Sequence, residues 1–409
     1  MSLAGKHIVV GIGSGIAAYK IPELIRLLRK QGADVKVTTT KHALEFVTDL
    51  TLQTLSGHKV YSDVFAAIND HSTEHISLPD WADAMLVAPA TADVLCKMSA
   101  GIADDALTTT LAAMRKPVVV APAMNDKMYA AEALQNALQT LAQRANMHVL
   151  DCADGFLACG TNGKGRMQEP EILVEALRAA LTEQDWQGRR VLVTAVPTRE
   201  AIYPVRFISN HSSGKMGVAL TSALVAHGAK VTLIAGTMQQ PLNIPLWHPA
   251  MRHYGACKRI DVVSAAEMYE AAQEAWQSAD TAILAAAVAD MTPAIVAGHK
   301  MKKGQDELDT LRLTETQDIA RSLGETKRPD QRLIGFALET DHEQTNALDK
   351  LKKKHLDAIV LNSLRDTGAG FGTDTNIVTI YDAGGSATHL PLADKSSIAE
   401  DILAAISKL

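Results

Sequence analysis

Residues 7–15 are His7-Ile8-Val9-Val10-Gly11-Ile12-Gly13-Ser14-Gly15. The first six residues are mostly β-branched or apolar, which is typical of a buried parallel strand. The glycine turn ends this run, and apolar residues then recur at helical spacing until Gly32, which we expect to cap the helix. A strand, a glycine-rich turn and a helix in this order predict the first unit of an α/β domain.

Length and composition limit the possible classes of protein. The chain has 409 residues, 47% hydrophobic and 21% charged, so we expect at least two folded domains rather than a disordered chain. The net charge of −6, without a basic stripe, argues against nucleic acid as a partner. No apolar run reaches the roughly 18 residues of a membrane span. With no signal segment recognised at the start of the sequence, we expect a cytoplasmic protein.

The strand pattern begins again near the middle of the chain. A polar stretch around 183–190 is followed by a new buried strand, Val191-Leu192-Val193-Thr194. In addition, Gly32-Ala33-Asp34-Val35-Lys36-Val37 is echoed by Gly228-Ala229-Lys230-Val231-Thr232-Leu233, each a helix cap followed by a second strand. We therefore predict two tandem Rossmann-like, doubly wound α/β domains, residues 1–188 and 189–409.

The glycine turn at 13–15 is a candidate anion site. The first turn between strand and helix presents backbone N–H groups to a phosphate, although a merely structural tight turn looks the same in sequence. A dinucleotide site has Asp or Glu at the end of the second strand, whereas this strand ends in Thr38-Thr39-Thr40. The hydroxyls therefore favour a mononucleotide phosphate over NAD.

A second motif, His71-Ser72-Thr73-Glu74-His75, matches the H-x-x-E-H pattern of inverted zinc peptidases. That chemistry needs both imidazoles on one helical face, and Pro79 leaves little room for a helix. Two other interpretations stay open: a surface histidine pair, and a single catalytic His75.

The cysteines give one further candidate. Cys96, Cys152, Cys159 and Cys257 are too scattered for a disulfide framework, so each is expected to be a free thiol. Cys159 lies among several glycines in 158–167, a composition that predicts a mobile flap rather than a packed element. We therefore expect Cys159 to be functional and Cys96 and Cys257 to be structural.

The second half has its own anion-binding candidates. Residues 209–217, Ser209-Asn210-His211-Ser212-Ser213-Gly214-Lys215-Met216-Gly217, are polar and precede a helix, but they do not match a Walker loop. Lysines are concentrated at 300–303 and at 350–354. Lysine runs are usually solvated surface, but beside a glycine-rich anion loop they favour a triphosphate with a divalent metal, whose ligands the sequence does not identify.

Together these segments resemble the bacterial family of bifunctional coenzyme A biosynthesis enzymes, in which phosphopantothenoylcysteine decarboxylase is fused to phosphopantothenate–cysteine ligase. The resemblance covers essentially the whole chain. Besides His75 and the Cys159 flap, it rests in the first half on Ile16-Ala17-Ala18-Tyr19-Lys20, Ala88-Pro89-Ala90-Thr91-Ala92-Asp93 and Pro122-Ala123-Met124-Asn125. In the second half it rests on Pro197-Thr198-Arg199-Glu200, Pro204-Val205-Arg206, Ile208 through Gly217, and Ala286-Ala287-Val288-Ala289-Asp290.

The resemblance implies that the first domain is a flavodoxin-like, FMN-dependent cysteine decarboxylase. The flavin would take up electrons from the substrate thiol and return them, which makes loss of CO2 from the cysteinyl carboxylate feasible. His75 would assist oxidation of the thiol, Asn125 would hold the carboxylate, and Cys159 would supply the final proton. The implied FMN contacts are Gly13, Ser14, Gly15, Thr40 and Thr91, and the implied substrate contacts are Met124 and Arg166.

For the second domain, the resemblance implies ligation of 4′-phosphopantothenate to cysteine with CTP, through an acyl-cytidylate and with Mg²⁺. The catalytic residues would be Asn210 and Lys300. The substrate-binding residues would be Arg206, Ala286, Asp290, Asp318, Ile319, Phe336, Lys350 and Lys354. A homo-oligomer is also implied, because flavin sites in this family resemble ones formed at subunit contacts.

The chain departs from the family pattern at several positions. These are Ser14, Asp104, Val196 in place of a glycine, Tyr203, Thr316, Gln317 and an additional stretch around Trp247. Two alternatives to the bifunctional enzyme are a zinc peptidase at 71–75 and a non-catalytic, flavin-binding regulatory protein.

Overall fold

The computed structural model describes residues 3–65, 74–237, 241–302, 310–339, 341–363, 365, 368–370 and 372–409. The chain divides into two compact units, Met1–Glu183 with Asn243–Tyr254, and Gln184–Leu242 with Gly255–Leu409. The sequence placed the stretch around Trp247 in the second domain, whereas the structure assigns it to the first unit. Within the described residues, no helix is both long and apolar enough to cross a membrane.

The first unit is built on a six-stranded parallel sheet with a separate two-stranded ribbon. Its strands are β1 His7–Ile12, β2 Asp34–Thr39, β3 Val60–Tyr61, β4 Ala84–Ala90, β5 Val118–Pro122, β6 Met147–Val149, β7 Ala153–Phe156 and β8 Asn162–Arg166. The sheet order is β3-β2-β1-β4-β5-β6, the Rossmann order. Without the two-residue β3, the order is that of flavodoxin. The α/β class predicted from the sequence is confirmed.

Helices cover this sheet, and their ends follow local sequence rules. They are α1 Ile21–Lys30, α2 Asp49–Ser56, α3 Glu74–Trp81, α4 Ala92–Ala100, α5 Ala106–Ala113, α6 Asp126–Tyr129, α7 Glu132–Ala142 and α8 Pro170–Leu181, with 3-10 turns at Ile16–Lys20 and Lys41–Glu45. Thr91 accepts a hydrogen bond from Val94 N at the start of α4. Gly32 follows α1 with φ +82°, the left-handed conformation expected of a capping glycine.

The Cys159 segment differs from the prediction. The sequence indicated a stretch unable to form an element, but β7 and β8 pair as an antiparallel hairpin with Cys159 in the connecting turn. Glycine is required at two positions of β8 because this strand lies very close to residues 124–126. A Cβ on Gly165 would lie 2.3 Å from Met124 O, and one on Gly163 would lie 2.9 Å from Asp126 Cβ.

The second unit has an eight-stranded sheet and two small hairpins. Its strands are β9 Arg190–Ala195, β10 Glu200–Tyr203, β11 Arg206–Ile208, β12 Lys230–Ala235, β13 Ala256–Asp261, β14 Thr281–Leu284, β15 Met291–Pro293, β16 Leu313–Glu315, β17 Arg332–Glu339, β18 Ala358–Ser363, β19 Thr375–Asp382 and β20 Ala387–Asp394. Its helices are α9 Lys215–Ala226, α10 Ala265–Trp276, α11 Ile319–Glu325, α12 Glu343–Lys353 and α13 Lys395–Ile406.

The topology of this second sheet repeats the Rossmann order and then extends it. The order is β13-β12-β9-β14-β17-β18-β19-β20, parallel as far as β18 and antiparallel in the terminal β19–β20 hairpin. In both sheets the chain adds strands first on one side of the first strand and then on the other. The switch point lies between β1 and β4 in the first sheet and between β9 and β14 in the second. Ligands of doubly wound folds bind at this switch point, beyond the carboxyl ends of the strands.

Candidate functional site

The switch point of the first unit collects the predicted flavin contacts. The 13–15 turn follows β1, Thr40 follows β2 and Thr91 follows β4. Ser14 Oγ lies 2.6 Å from Thr40 Oγ1, and Gly13 N donates to Pro89 O at 3.0 Å. A Cβ on Gly13 would lie 2.6 Å from that carbonyl oxygen, so the turn requires glycine there.

These groups fit a flavin mononucleotide. The exposed backbone of the turn and the hydroxyls of Ser14 and Thr40 match a phosphate and the hydroxyl-rich chain that joins it to the ring. Thr39 Oγ1 is also buried here without a hydrogen-bond partner among the described residues. The extra charge of Asp104 is neutralised, because Lys97 Nζ lies 3.2 Å from Asp104 Oδ1.

The Cys159 hairpin meets the start of α6. Asn125 Nδ2 donates to Cys159 Sγ at 3.2 Å, while Asn125 Oδ1 accepts from Lys127 N at 2.9 Å and caps the helix. Hydrogen bonds from Thr161, and then from Asn125, lower the pKa of the exposed Cys159 thiol. Burial instead raises the pKa of Cys152 to about 12 and that of Cys257 to about 11. Cys257, which was expected to be structural, and Cys152 are therefore poorly reactive.

The two predicted substrate contacts lie beside this hairpin. Met124 N donates to Gly165 O at 2.9 Å, which joins the Pro-Ala-Met-Asn segment to β8. Arg166 is exposed on β8, and its Nη2 lies 2.6 Å from Glu169 Oε1. Although burial opposes ionisation of Glu169, its hydrogen bonds and charge contacts with Lys20 and Arg166 hold its pKa below the usual range.

The H-x-x-E-H motif is only partly described, because His71 lies outside the described residues. Glu74 and His75 begin α3, an eight-residue helix that includes Pro79, so more helix forms than the proline predicted. No cluster of three metal-binding side chains occurs in the part of the chain that the structure describes. No hydrogen bond between described residues joins His75 to Cys159 or Asn125.

The second unit contains a cavity of about 660 Å³ at its switch point. Most of the predicted second-half site residues line it. These are Asn210, Ala286, Asp290, Asp318, Ile319, Phe336, Lys350 and Lys354. The 212–217 turn forms one wall, and α9 begins there after Gly214 in the left-handed conformation, with φ +76°. The unpaired backbone N–H groups of a helix start favour an anion at this wall.

Asn210 connects two walls of the cavity. Its Nδ2 donates to Ala287 O at 2.7 Å, and its Oδ1 accepts from Ser212 N at 3.0 Å. The glycine-rich turn and the 285–290 segment are thereby held together. Thr316 joins the same region by donating from Oγ1 to Ala289 O at 2.7 Å.

The predicted lysines are paired with carboxylates. Lys350 Nζ lies 2.6 Å from Glu339 Oε1, and Lys354 Nζ lies 2.9 Å from Asp318 Oδ2. Burial raises the pKa of Asp318, but Arg321 N and Lys354 hold it below its usual value. A bound polyanion would therefore compete with these carboxylates for the ammonium groups.

Two predicted residues are absent from the described lining of the cavity. Lys300 is exposed in a loop after β15. Arg206 lies on β11, where its Nη1 donates to Tyr203 Oη at 2.6 Å. The tyrosine at this departure from the family pattern thus gives Arg206 a partner on its own hairpin.

Val196 is accommodated without entering the cavity. Its φ of +72° is a conformation that β-branched residues rarely adopt, and its side chain is buried. A Cβ on Gly214 would lie 2.5 Å from Val196 Cγ2, so the valine methyl group occupies the space that a glycine at 214 leaves free.

Sequence reasoning missed the cavity lysine Lys395 and gave no individual role to Lys215, which it included only as part of the 209–217 stretch. Lys395 begins α13, and its Nζ donates to Thr373 O at 2.6 Å and to Gly370 O at 3.2 Å. Lys215 Nζ lies 2.7 Å from Asp374 Oδ1. Lys215 was visible within the Gly-Lys pair, but Lys395 is an isolated lysine with no local signal.

Two family models together match almost the whole chain. The model described as Flavoprotein matches residues 1–182, and the one described as DNA/pantothenate metabolism flavoprotein C-terminal domain matches residues 186–409.

Individual proteins are similar over the same length. The coenzyme A biosynthesis bifunctional protein CoaBC of Bacillus subtilis (strain 168) is 44% identical over 412 residues, covering 100% of this chain and 98% of the relative. A cysteine/cysteine sulfinic acid decarboxylase from an unknown prokaryotic organism is 46% identical and covers 89% of this chain and 99% of its own. The crystal structure of the C-terminal domain of a CoaBC protein is 39% identical, with a TM-score of 0.45, over 55% of this chain and 97% of that one.

Proposed function

Because this chain belongs to the family of bifunctional coenzyme A biosynthesis proteins, we propose that it ligates 4′-phosphopantothenate to L-cysteine with CTP and then decarboxylates the product to 4′-phosphopantetheine. The first unit is the FMN-dependent decarboxylase and the second is the ligase. The observation that carries the proposal is that one chain holds both sites, the Cys159–Asn125 contact and the lysine-lined cavity.

In the decarboxylase, bound FMN supplies a reversible electron acceptor, and the chain's own residues do the rest. Gly13, Ser14, Gly15, Thr40 and Thr91 would hold its phosphate and hydroxyl chain at the switch point. Asn125 Oδ1 is already used by the helix cap, so Nδ2 is the group that can bind the substrate carboxylate.

The thiol of Cys159, on the β7–β8 hairpin, is the proton donor of the decarboxylase. Cys159 Sγ–H donates the final proton, and its hydrogen bonds to Thr161 and Asn125 stabilise the thiolate that remains. His75 assists thiol oxidation, while Met124 and Arg166 line the substrate path. Since no hydrogen bond between described residues joins His75 to Cys159, we propose that a second copy of the chain completes the site.

In the ligase, the carboxylate of phosphopantothenate attacks the α-phosphate of CTP, pyrophosphate leaves, and the resulting acyl-cytidylate is reactive towards an amine. The 214–217 backbone, Lys350 and Lys354 bind the triphosphate together with Mg²⁺, and Lys300 contacts the α-phosphate.

Asp290 and Phe336 hold the nucleoside, with Ala286, Asp318 and Ile319 beside it. Asn210 and Arg206 hold the acyl-cytidylate until the cysteine amine attacks its carbonyl carbon, which forms the amide and releases CMP.

The alternatives have no support in the comparisons. Neither the family models nor the full-length relatives point to a peptidase, and one of the relatives named here is a decarboxylase by name. A cytoplasmic location remains a prediction from the sequence.

The two activities are separable by substitution. In Cys159→Ser, we expect decarboxylation to fall about 10²- to 10⁴-fold, because the positioned acid is lost. CTP-dependent ligation should be unchanged, since Cys159 lies in the other unit. The measurement follows both products by mass in protein loaded with FMN, with Cys96→Ser as the matched control. Equal loss of both activities would mean that the division of labour between the units is wrong.

A further inference from the structure

The Cys159 hairpin and the Asn125 helix share one buried carboxylate. Asp151 Oδ2 lies 2.6 Å from Lys164 Nζ, on β8. Asp151 Oδ1 accepts a hydrogen bond from Tyr129 Oη, at the end of α6. The Asp151 side chain is only 7% exposed, so these contacts are protected from solvent and screened little.

Two side chains that contact the Asp151 carboxylate, Lys164 and Tyr129, belong to the elements that carry Cys159 and Asn125. Lys164 belongs to the hairpin that carries Cys159, and it lies between the two glycines that press on residues 124–126. Tyr129 ends the four-residue helix that Asn125 caps. Burial, and then Asp151, raise the pKa of Tyr129, which keeps the phenol protonated as a donor.

Asp151 is in turn held by the 243–254 segment. Asp151 N donates to Leu246 O at 2.8 Å, and Gln168 Nε2 donates to both Asp151 O and Leu246 O at 2.7 Å. The segment is anchored beside β6, where Trp247 stacks on Tyr254 with 3.8 Å between ring centroids. Tyr254 Oη lies 2.5 Å from His148 Nδ1 on β6.

We propose that Asp151 is a positioning residue that holds Cys159 against Asn125 for decarboxylation, and that the 243–254 segment holds Asp151 in place. The segment lies in sequence between β12 and β13 of the ligase fold, so the second half of the chain contributes structure to the first active site. This inference rests on the proposed decarboxylase function.

The test uses the full-length protein loaded with FMN and carrying Asp151→Asn or Lys164→Met. We expect kcat for decarboxylation to fall about 10- to 100-fold, because small displacements of reacting groups carry costs of this order. Lys164→Arg, which keeps the charge, should restore most of the rate. Lys116→Met, at an exposed lysine elsewhere in the unit, should match the wild type.

A second measurement does not depend on turnover. In a Cys96→Ser background, the pH profile of Cys159 alkylation reports the hydrogen bonds on the thiol, and both variants should shift its midpoint upward. CTP-dependent ligation measured on the same samples should stay unchanged, as a control for folding. Trp247→Ala should lower decarboxylation and also leave ligation intact.

The outcomes are distinguishable. Wild-type kcat and an unshifted alkylation profile in both variants would overturn the positioning role, even if thermal stability fell. If Asp151→Asn and Lys164→Met lose decarboxylation while Trp247→Ala decarboxylates at the wild-type rate, the role of the 243–254 segment is overturned. Absence of decarboxylation in the wild type, with intact alkylation shifts, would instead contradict the proposed function.

Discussion

Val196 shows how one residue can depart from a family pattern and still fit its site. A left-handed β-branched residue costs of the order of 1–3 kcal/mol, and it persists only where its surroundings hold it. Here the absence of a side chain at Gly214 makes room for the valine methyl group. The strain therefore lies just behind the turn that faces the cavity.

This arrangement gives a stability prediction. Val196→Gly relieves the strained φ but loses buried methyl groups and adds freedom to the unfolded chain, so the free energy of unfolding should change by less than about 1 kcal/mol. Val193→Gly, in strand β9 just before Val196 and also buried but in ordinary β conformation, should lose about 3 kcal/mol or more. Urea unfolding measures both values. Equal large losses would contradict the account of strain.

The cavity lysines give a second prediction at the same scale. Lys350→Met removes a charge-assisted contact worth about 1.5–3 kcal/mol, so kcat/KM for CTP should fall about 10- to 150-fold. Lys353→Met is the matched control, because that side chain is 78% exposed and outside the described lining of the cavity. Steady-state ligation against CTP concentration checks both variants. A similar loss in each would point to general surface charge rather than to this site.

At the scale of elements, His227 joins the start of the second unit to two helices. It follows α9, and its Nδ1 lies 2.5 Å from Asp185 Oδ1 while its Nε2 lies 2.7 Å from Glu400 Oε2 on α13. Burial lowers the pKa of His227, but the hydrogen bonds to Glu400 and Asp185 outweigh this and raise it. Burial likewise opposes ionisation of Glu400, yet His227 holds its pKa below the usual value.

The direction of these shifts sets a pH dependence of stability. The His227 contribution is complete below its unfolded pKa of about 6.5 and is lost as the pH rises through the higher folded value. The Glu400 contribution is complete above about 4.3 and is lost as the pH falls through its lowered folded value. His227→Gln should therefore cost about 1.5–3 kcal/mol between pH 5 and 6, and less at pH 9.

Chemical unfolding across pH measures this difference. His42→Gln is the control, because His42 is 70% exposed and pairs only at the surface, so its effect should stay within about 0.5 kcal/mol. A cost for His227→Gln that grows towards alkaline pH would show that the sign is wrong.

The elements also show which parts of the fold are local in sequence. The strand–turn–helix of 7–30 and the new strand that begins at 190 were predictable. The spacing of apolar residues and the glycine and threonine caps of helices depend only on residues that are close together in sequence. The β7–β8 hairpin was missed because its glycines serve close backbone approach to residues 124–126, which are distant in sequence. The assignment of 243–254 to the first unit was missed for the same reason, since a hydrogen bond from Asp151 N to Leu246 O leaves no local pattern.

At the scale of the whole molecule, the candidate sites lie at the switch points of two similar sheets. Gly13 and Gly214 both lie in turns at these switch points, so the sequence motifs led directly to the two sites. The motifs carried no information on side-chain direction, which is why Lys300 and Arg206 were predicted as site residues although the described lining of the cavity does not include them. Lys395 was missed because it reaches the cavity only through the β19–β20 extension.

The proposed function requires an order of events: cysteine is joined to phosphopantothenate before it loses its carboxyl group. Cysteine labelled with ¹³C at the carboxyl carbon tests this directly in the protein loaded with FMN and given Mg²⁺. We predict that ¹³CO2 is released only when 4′-phosphopantothenate and CTP are both present, and that the labelled ligation product precedes it. Release of ¹³CO2 from cysteine alone, at the same rate, would contradict the claim.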